Sequence, residues 1–432
     1  MQRNRFLIDM LSNLFDRTRA VRRDDDPRSI AKLCHALLSE EGTVSGQKLA
    51  EVILTRYRAF GDAEKFQFFQ FLNDELEIDP VALAAFATEY AQTRTTEAFA
   101  RVFDASSAKR RQLLRRLNQP AGATADLVSM RVDLLRLMKD APELARTDMD
   151  FVLLLRSWFN RGFLVLKQID WNSPAWLLDK IVAYEAVHEI DDLDDLRRRL
   201  SPPDRRCFAF FHPAMPDEPL IFVEVALTKT IPGSIDLLLS EEPTPLRLDD
   251  ARAAVFYSIS NCQQGLKGIS FGNLLIKQVV KELALEFSQL THFVTLSPIP
   301  RLNAWLKTQV KDDVIGAASR AVLDGSASQD TLRGLAAHYL LTAKSKSNLP
   351  YDPVARFHLG NGAEVHDVHA NADTSANGQN QSSGAMVNYL YDLSRVERNH
   401  RDFSQTGRIV AAKSVNALAK DLAKAKPREM SG

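Results

Sequence analysis

The stretch from Ala253 to Leu296 constrains the fold more than any other part of this chain. An apolar strand pattern ends near Ser260, and a glycine-containing loop runs from Gln263 to Asn273. A helix pattern follows with Ile276, Val279, Val280, Leu283 and Phe287 on one side, and Phe293 to Leu296 returns as a strand. Strand, helix and strand in that order make a crossover unit, which joins parallel strands. The loop therefore opens a helix N-terminus, where unpaired backbone N–H groups and the helix dipole can hold phosphate. Its glycine spacing is not the dinucleotide fingerprint, and no Gly-Lys-Ser/Thr ends it as in a P-loop.

A chain of 432 residues exceeds one hydrophobic core, so two domains are expected. From Arg5 to about Arg156 apolar residues recur at three and four, as in Phe6, Leu7, Met10, Leu11, Leu14 and again in Phe66, Phe69, Leu72, so residues 1–158 read as a helical bundle. Asp79 can cap a helix that has Pro80 in its first turn, and Pro120 with Gly122 separates the next two. Mixed α/β structure begins near Arg161-Gly162. Phe163 to Leu166, Cys207 to Phe211 and Leu220 to Leu227 read as strands, the last half-buried by its alternation, with Glu224 on a partly wet face. Between Asp367 and Ser383 the sequence is small and polar and reads as a long loop. Val410 to Lys424 reads as an amphipathic helix.

Lys plus Arg and Asp plus Glu number 55 each, which offers no field for nucleic acid. Cys34, Cys207 and Cys262 are too scattered for a disulfide framework or a zinc site, as expected of a reducing cytosol. No apolar run reaches membrane-spanning length, and Met1 to Asp16 lacks the compact core and cleavage site of a secretory signal. A cytoplasmic protein without membrane association is expected.

Taken singly, the candidate chemical residues have ordinary readings. Ser297 follows an apolar strand and precedes Pro298, which forces extended backbone; such a serine is commonly a turn residue, although ligand crevices form at this edge of α/β sheets. His358 stands between Phe357 and Leu359-Gly360-Asn361-Gly362 and should project from a loop. His366 and His369 read as solvated, without a third metal ligand nearby. Lys267 and Arg356 could each meet a phosphate or simply face solvent.

The loop resembles the pyrophosphate loop of the acetyltransferase superfamily, with Ser270 where that pattern has its middle glycine. A narrower resemblance spans residues 160 to 400. His212-Pro213 through Leu227, Gln263 through Leu283, Leu296-Ser297-Pro298-Ile299-Pro300, Phe357 through Ala363 and Asn388-Tyr389-Leu390-Tyr391 together look like malonyl-CoA decarboxylase, in the same block order. The resemblance implies a helical N-terminal domain for oligomerisation or interaction (1–158), followed by an acetyltransferase-like α/β catalytic domain with a mixed sheet (159–432). It implies conversion of malonyl-CoA to acetyl-CoA and carbon dioxide without a cofactor or metal, in a homodimer or homotetramer. Ser297 and His358 would be catalytic, with Tyr391 and Asn361 in support. Lys267, Gly268, Ile269, Ser270, Phe271, Gly272 and Asn273 would contact CoA. A CoA-dependent acyltransferase and a non-catalytic CoA-thioester sensor are the rival readings.

Overall fold

The structure, a computed structural model, describes residues 26–39, 43–240, 246–269 and 272–424. The helical periodicity expected from Phe6 to Leu14 lies outside them. By its contacts the chain forms two compact units: Met1–Val165 with Phe211–Glu218 and Gln263–Ser270, and Leu166–Phe210 with Pro219–Cys262 and Phe271–Gly432.

The first unit is helical, as its periodicity predicts. Its helices include Thr43–Ala59, Asp62–Asp74, Pro80–Thr93, Thr96–Ala105, Lys109–Leu117, Ala123–Leu137 and Ala145–Trp158. Asp79 caps its helix by accepting from the Val81 and Ala82 amides at 2.9 and 3.0 Å, with Pro80 at the first helical position. Leu33, Ile53, Phe69, Leu72, Leu117, Leu134 and Leu155 are wholly buried and supply much of the core. Arg110 is buried with them because Asp150 accepts from its Nε at 2.7 Å.

The second unit is built on a mixed sheet of eight strands: β1 (Val165–Ile169), β2 (Arg205–Phe211), β3 (Ile221–Thr228), β4 (Ala253–Asn261), β5 (His292–Thr295), β6 (Ser297–Pro298), β7 (Glu364–His369) and β8 (Met386–Leu390). The order is β1-β2-β3-β4-β5-β8-β6, with β7 beside β8. β4 and β5 pair parallel through the helix Gly272–Glu286, as the crossover reading requires, in a sheet whose other recorded pairings are antiparallel. A mixed sheet with a helical crossover is the α/β arrangement that the resemblance implies for this part of the chain.

Three expectations are corrected. Phe163 belongs to a short 3-10 turn, Arg161–Phe163, because the Asn160 side chain accepts from the Gly162 amide; the strand starts at Val165. The polar stretch 367–383 is not one long loop. β7 runs to His369, and Ala376–Ser382 is a helix capped by Ser375, with Gly378 so close to Asp373 that a Cβ would lie 2.3 Å from the carboxylate carbon. Helices made of Asn, Gln and Ser carry no apolar stripe for periodicity to find.

Glu224 is the third. It is completely buried, because the helix Leu193–Leu200 covers that face of β3 and brings Arg199 to 3.5 Å from its carboxylate. Arg199 is already held by Asp195 at 2.8 Å. Burial pushes the Glu224 carboxyl up to about 8, Glu185 beside it adds to the shift, and Arg199 offsets only part. From the ordinary carboxylate range to about pH 8 the native protein therefore holds a proton that the unfolded chain releases. Stability should fall as pH rises through that window, by on the order of 1 kcal/mol per unit. Glu224→Gln, which mimics the protonated carboxyl, is expected to flatten this decline. Denaturant midpoints between pH 5.5 and 9 for both proteins check it, and parallel curves would refute the assignment.

Candidate active site

Side chains two apart on a strand share a face. Val294 and Leu296 point into a core with Val255, Tyr257 and Met386, which puts Thr295 and Ser297 on the opposite face of the sheet. The same parity on β8 and just beyond it puts Tyr389 and Tyr391 with them. β8 pairs with β5 at Val294↔Leu390 and with β6 at Ser297↔Val387, and the Tyr391 amide donates to the Phe293 carbonyl at 2.8 Å. One hydroxyl pair and one phenol pair are thereby set side by side.

The histidine comes from elsewhere in the chain. Asp352 caps the helix Pro353–Gly360 by accepting from the Val354 and Ala355 amides at 2.9 and 3.0 Å, and Pro353 takes the first helical position. His358 therefore sits in the last turn of a helix and not in a loop, which corrects the sequence expectation. The helix stops at Asn361, and Gly362 turns the chain with φ +86° toward β7.

His358 is 3% exposed, and its ring stacks on Tyr389 at 4.7 Å with an interplanar angle of 24°. Nε2 lies 3.2 Å from the Ser297 Oγ, and Nδ1 lies 2.8 Å from the Tyr391 hydroxyl. Ser297, 5% exposed, donates to the Thr295 Oγ1 at 2.8 Å. Burial with no charge beside it drives the imidazole down to about 3, so it is neutral at physiological pH. Burial pushes the Tyr391 phenol well above its usual range, and the Asn361 amide close by offsets part of this. The Asn361 Nδ2 and the Tyr389 hydroxyl are both buried and have no hydrogen-bond partner among the described residues.

Ser297, His358, Tyr391 and Asn361 are thus brought together in one buried cluster of the sheet unit. The expected CoA contacts are distributed differently. Lys267, Gly268 and Ile269 belong by contacts to the helical unit, whereas Gly272 and Asn273 open the helix Gly272–Glu286; Ser270 and Phe271 lie outside the described residues. Gly265 packs against the helix Ala123–Leu137 so tightly that a Cβ would lie 2.0 Å from the Val128 carbonyl oxygen. Arg131 of that helix, buried and paired with Asp148 at 2.7 Å, donates to the Gly265 and Lys267 carbonyls at 2.7 and 2.9 Å. The side chain of Lys267 is exposed. Arg356 is turned back on its own chain, donating to the Pro350 carbonyl at 3.0 Å.

The match to known proteins extends over both units. The profile of the malonyl-CoA decarboxylase C-terminal domain matches residues 162–429, and that of the malonyl-CoA decarboxylase N-terminal domain matches residues 76–159. The chain belongs to the malonyl-CoA decarboxylase family. The mitochondrial malonyl-CoA decarboxylase of Anser anser anser is 35% identical over 346 residues, covering 71% of this chain and 68% of that one; its Mus musculus counterpart is 34% identical, covering 71% and 70%. Among solved structures, malonyl-CoA decarboxylase from Rhodopseudomonas palustris superposes with a TM-score of 0.85 at 46% identity, covering 90% of this chain and all of that one. The Agrobacterium vitis protein gives 0.86 at 44% identity, covering 90% and 99%.

For this malonyl-CoA decarboxylase family member, sequence reading passed over Thr295 and gave Tyr389 no role. A signal was present, since Thr295-x-Ser297 and Tyr389-x-Tyr391 each show the spacing that puts two side chains on one strand face. Arg131 was also missed, because nothing in a helical arginine announces that its partners are loop carbonyls more than a hundred residues away. His369, read as solvated, instead hydrogen-bonds through Nε2 to the Oδ1 of Asn388, which is itself wholly buried.

Proposed function

We infer that this chain decarboxylates malonyl-CoA, giving acetyl-CoA and carbon dioxide, with Ser297 and His358 as the reacting pair. Family membership across both units carries the reaction, and the buried Ser297–His358–Tyr391 chain is the observation that supports the assignment of the pair. Breaking the bond between the carboxylate carbon and the α-carbon releases carbon dioxide and leaves its electron pair on the α-carbon. The adjacent thioester carbonyl takes that pair as an enolate, and the α-carbon must then gain one proton. Because the substrate supplies its own electron sink, we propose that no cofactor takes part. The protein's tasks are to keep the carboxylate from water, stabilise the enolate oxygen and deliver the proton.

We assign proton delivery to His358, with Ser297 orienting the ring at Nε2 and Tyr391 holding its far side. Asn361, whose side chain lies beside Tyr391, is the amide donor we propose for a substrate oxygen. The β4–β5 ladder ends at Phe256↔Thr295, while β4 continues to Asn261. That edge beyond Phe256 supports placing the thioester arm along β4, and the family resemblance alone proposes Lys267 as a contact for CoA. Self-association through the helical unit is supported by the pair of helices Pro80–Thr93 and Thr96–Ala105. The first of them buries no residue, and together they expose Val81, Phe99 and Phe103.

Incubation with malonyl-CoA alone tests the function: acetyl-CoA and carbon dioxide should appear in equal amounts with no acceptor present. A requirement for an amine acceptor would make the protein an acyltransferase, and an intact thioester after prolonged incubation would make it a sensor. Lys267→Ala is expected to raise KM about three- to tenfold, a shift on the order of 1 kcal/mol for an exposed charge, with kcat within about twofold. The increase should shrink as salt is added; an unchanged KM at low ionic strength would remove Lys267 from the binding loop.

A further inference from the structure

We propose that Thr295 is a positioning residue that turns the Ser297 hydroxyl away from His358, so that the imidazole presents Nε2–H and not a lone pair to the site. The inference rests on the reading of Ser297 and His358 as the reacting pair. Thr295 is wholly buried at the end of β5, where β8 passes from β5 to β6. In that gap the Tyr389 amide finds the Thr295 Oγ1 at 3.2 Å in place of a backbone carbonyl. The same oxygen receives the Ser297 hydroxyl at 2.8 Å.

The distances sort the donors. A separation of 2.8 Å is ordinary for O–H···O, whereas the 3.2 Å between Ser297 Oγ and His358 Nε2 falls at the long end of the N–H···O range. Serine has one hydroxyl proton, and with it on Thr295 its oxygen can only accept from the histidine. Nε2 then carries the hydrogen. A neutral imidazole has a single N–H, so Nδ1 is the acceptor and takes the Tyr391 hydroxyl proton at 2.8 Å. The chain runs in one direction: Tyr391 to Nδ1, Nε2 to Ser297, Ser297 to Thr295.

In a hydrolase the direction is reversed, with serine donating to a basic ring nitrogen and becoming a nucleophile toward the acyl carbon. Such a serine would attack the thioester of malonyl-CoA. Held by Thr295, the pair instead keeps a proton on Nε2 for a carbon that must gain one; as Nε2–H is transferred, the Tyr391 hydroxyl proton passes to Nδ1, so the ring stays neutral, and Tyr391 regains its proton from water. Thr295 also completes the sheet at Tyr389, so a purely structural role has to be separated experimentally.

Three measurements on the full chain do so. Thr295→Val is expected to lower kcat about ten- to a hundredfold, a part of what a general acid contributes, with KM within about twofold. Thr295→Ser, which keeps the acceptor, should recover most of the rate. In protein labelled with 15N at histidine, the His358 signals, identified by their loss in His358→Gln, should report Nε2–H in the parent protein and Nδ1–H in Thr295→Val. If Thr295→Val fails to fold, Thr295→Cys, whose thiol fills the space and accepts poorly, carries the same comparison. An unchanged His358 tautomer in the variant overturns the proposal, as does wild-type kcat. Ser297→Ala and His358→Ala assayed alongside separate the two readings: full activity in both would remove the pair from the chemistry, while their inactivity beside an active Thr295→Val would remove Thr295 alone.

Discussion

His358→Ala is expected to lower kcat by about two to four orders of magnitude, the usual contribution of a positioned general acid, while binding of a non-reactive CoA thioester stays near that of the parent protein. The reason is geometric. His358 lies at the centre of the buried chain, with Ser297 on Nε2, Tyr391 on Nδ1 and Tyr389 across its face, and among the described residues no second histidine is hydrogen-bonded into that cluster. Ser297→Ala should fall in the same direction. Because burial holds the free imidazole down to about 3, protonation of the unliganded protein at this residue takes place far below neutrality. The pH profile of kcat/KM, which reports the free enzyme, should then show no His358 ionisation between pH 5 and 8. Steady-state kinetics with calorimetric binding check both statements. Near-normal turnover in His358→Ala and Ser297→Ala would sink the assignment.

Gly362→Ala is expected to have the largest effect on the structure itself. At φ +86° an alanine is strained, and its Cβ would lie 2.1 Å from the Val396 carbonyl oxygen, a backbone atom that cannot swing aside. The Asn399 side chain, buried next to it, donates to the Gly362 carbonyl and fixes the turn from the other side. Relief requires the helix Val396–Thr406 to move away from the turn, which would carry Asn361 and the last turn around His358 with it. A loss of roughly 3 kcal/mol or more is expected, the size typical of overpacking combined with backbone strain. Chemical denaturation should show it, and whatever protein remains folded should have a reduced kcat. A variant with the stability and turnover of the parent would mean that this turn does not hold the site.

How much of this was legible depended on the range of the interaction that carried it. The helical first unit, the cap at Asp79, the parallel crossover from Ala253 to Leu296 and the extended backbone at Ser297-Pro298 could all be read, because each is set by periodicity or by neighbours within a few residues. Ser297, His358, Tyr391 and Asn361 were legible only through the resemblance, since singly each had an ordinary reading. The helix under His358 was missed although its cap and proline were present, because the run from Pro353 to Gly360 is one short helix with little apolar stripe. Glu224 was misread because the helix that covers it and the arginine that faces it come from a different part of the chain.

Local chemistry in the sequence therefore determined the elements, their order and the residue types available for proton transfer. Tertiary structure decided which of those residues meet. A strand's parity puts Thr295 and Ser297 on one face, but only the passage of β8 from β5 to β6 places Tyr389 and Tyr391 against them, and only the turn at Gly362 delivers a helix-borne histidine between. Hydrogen bonds of 2.8 to 3.2 Å tolerate little displacement, so the direction of the proton in that cluster is a property of packing across some ninety residues of chain and not of any motif within it.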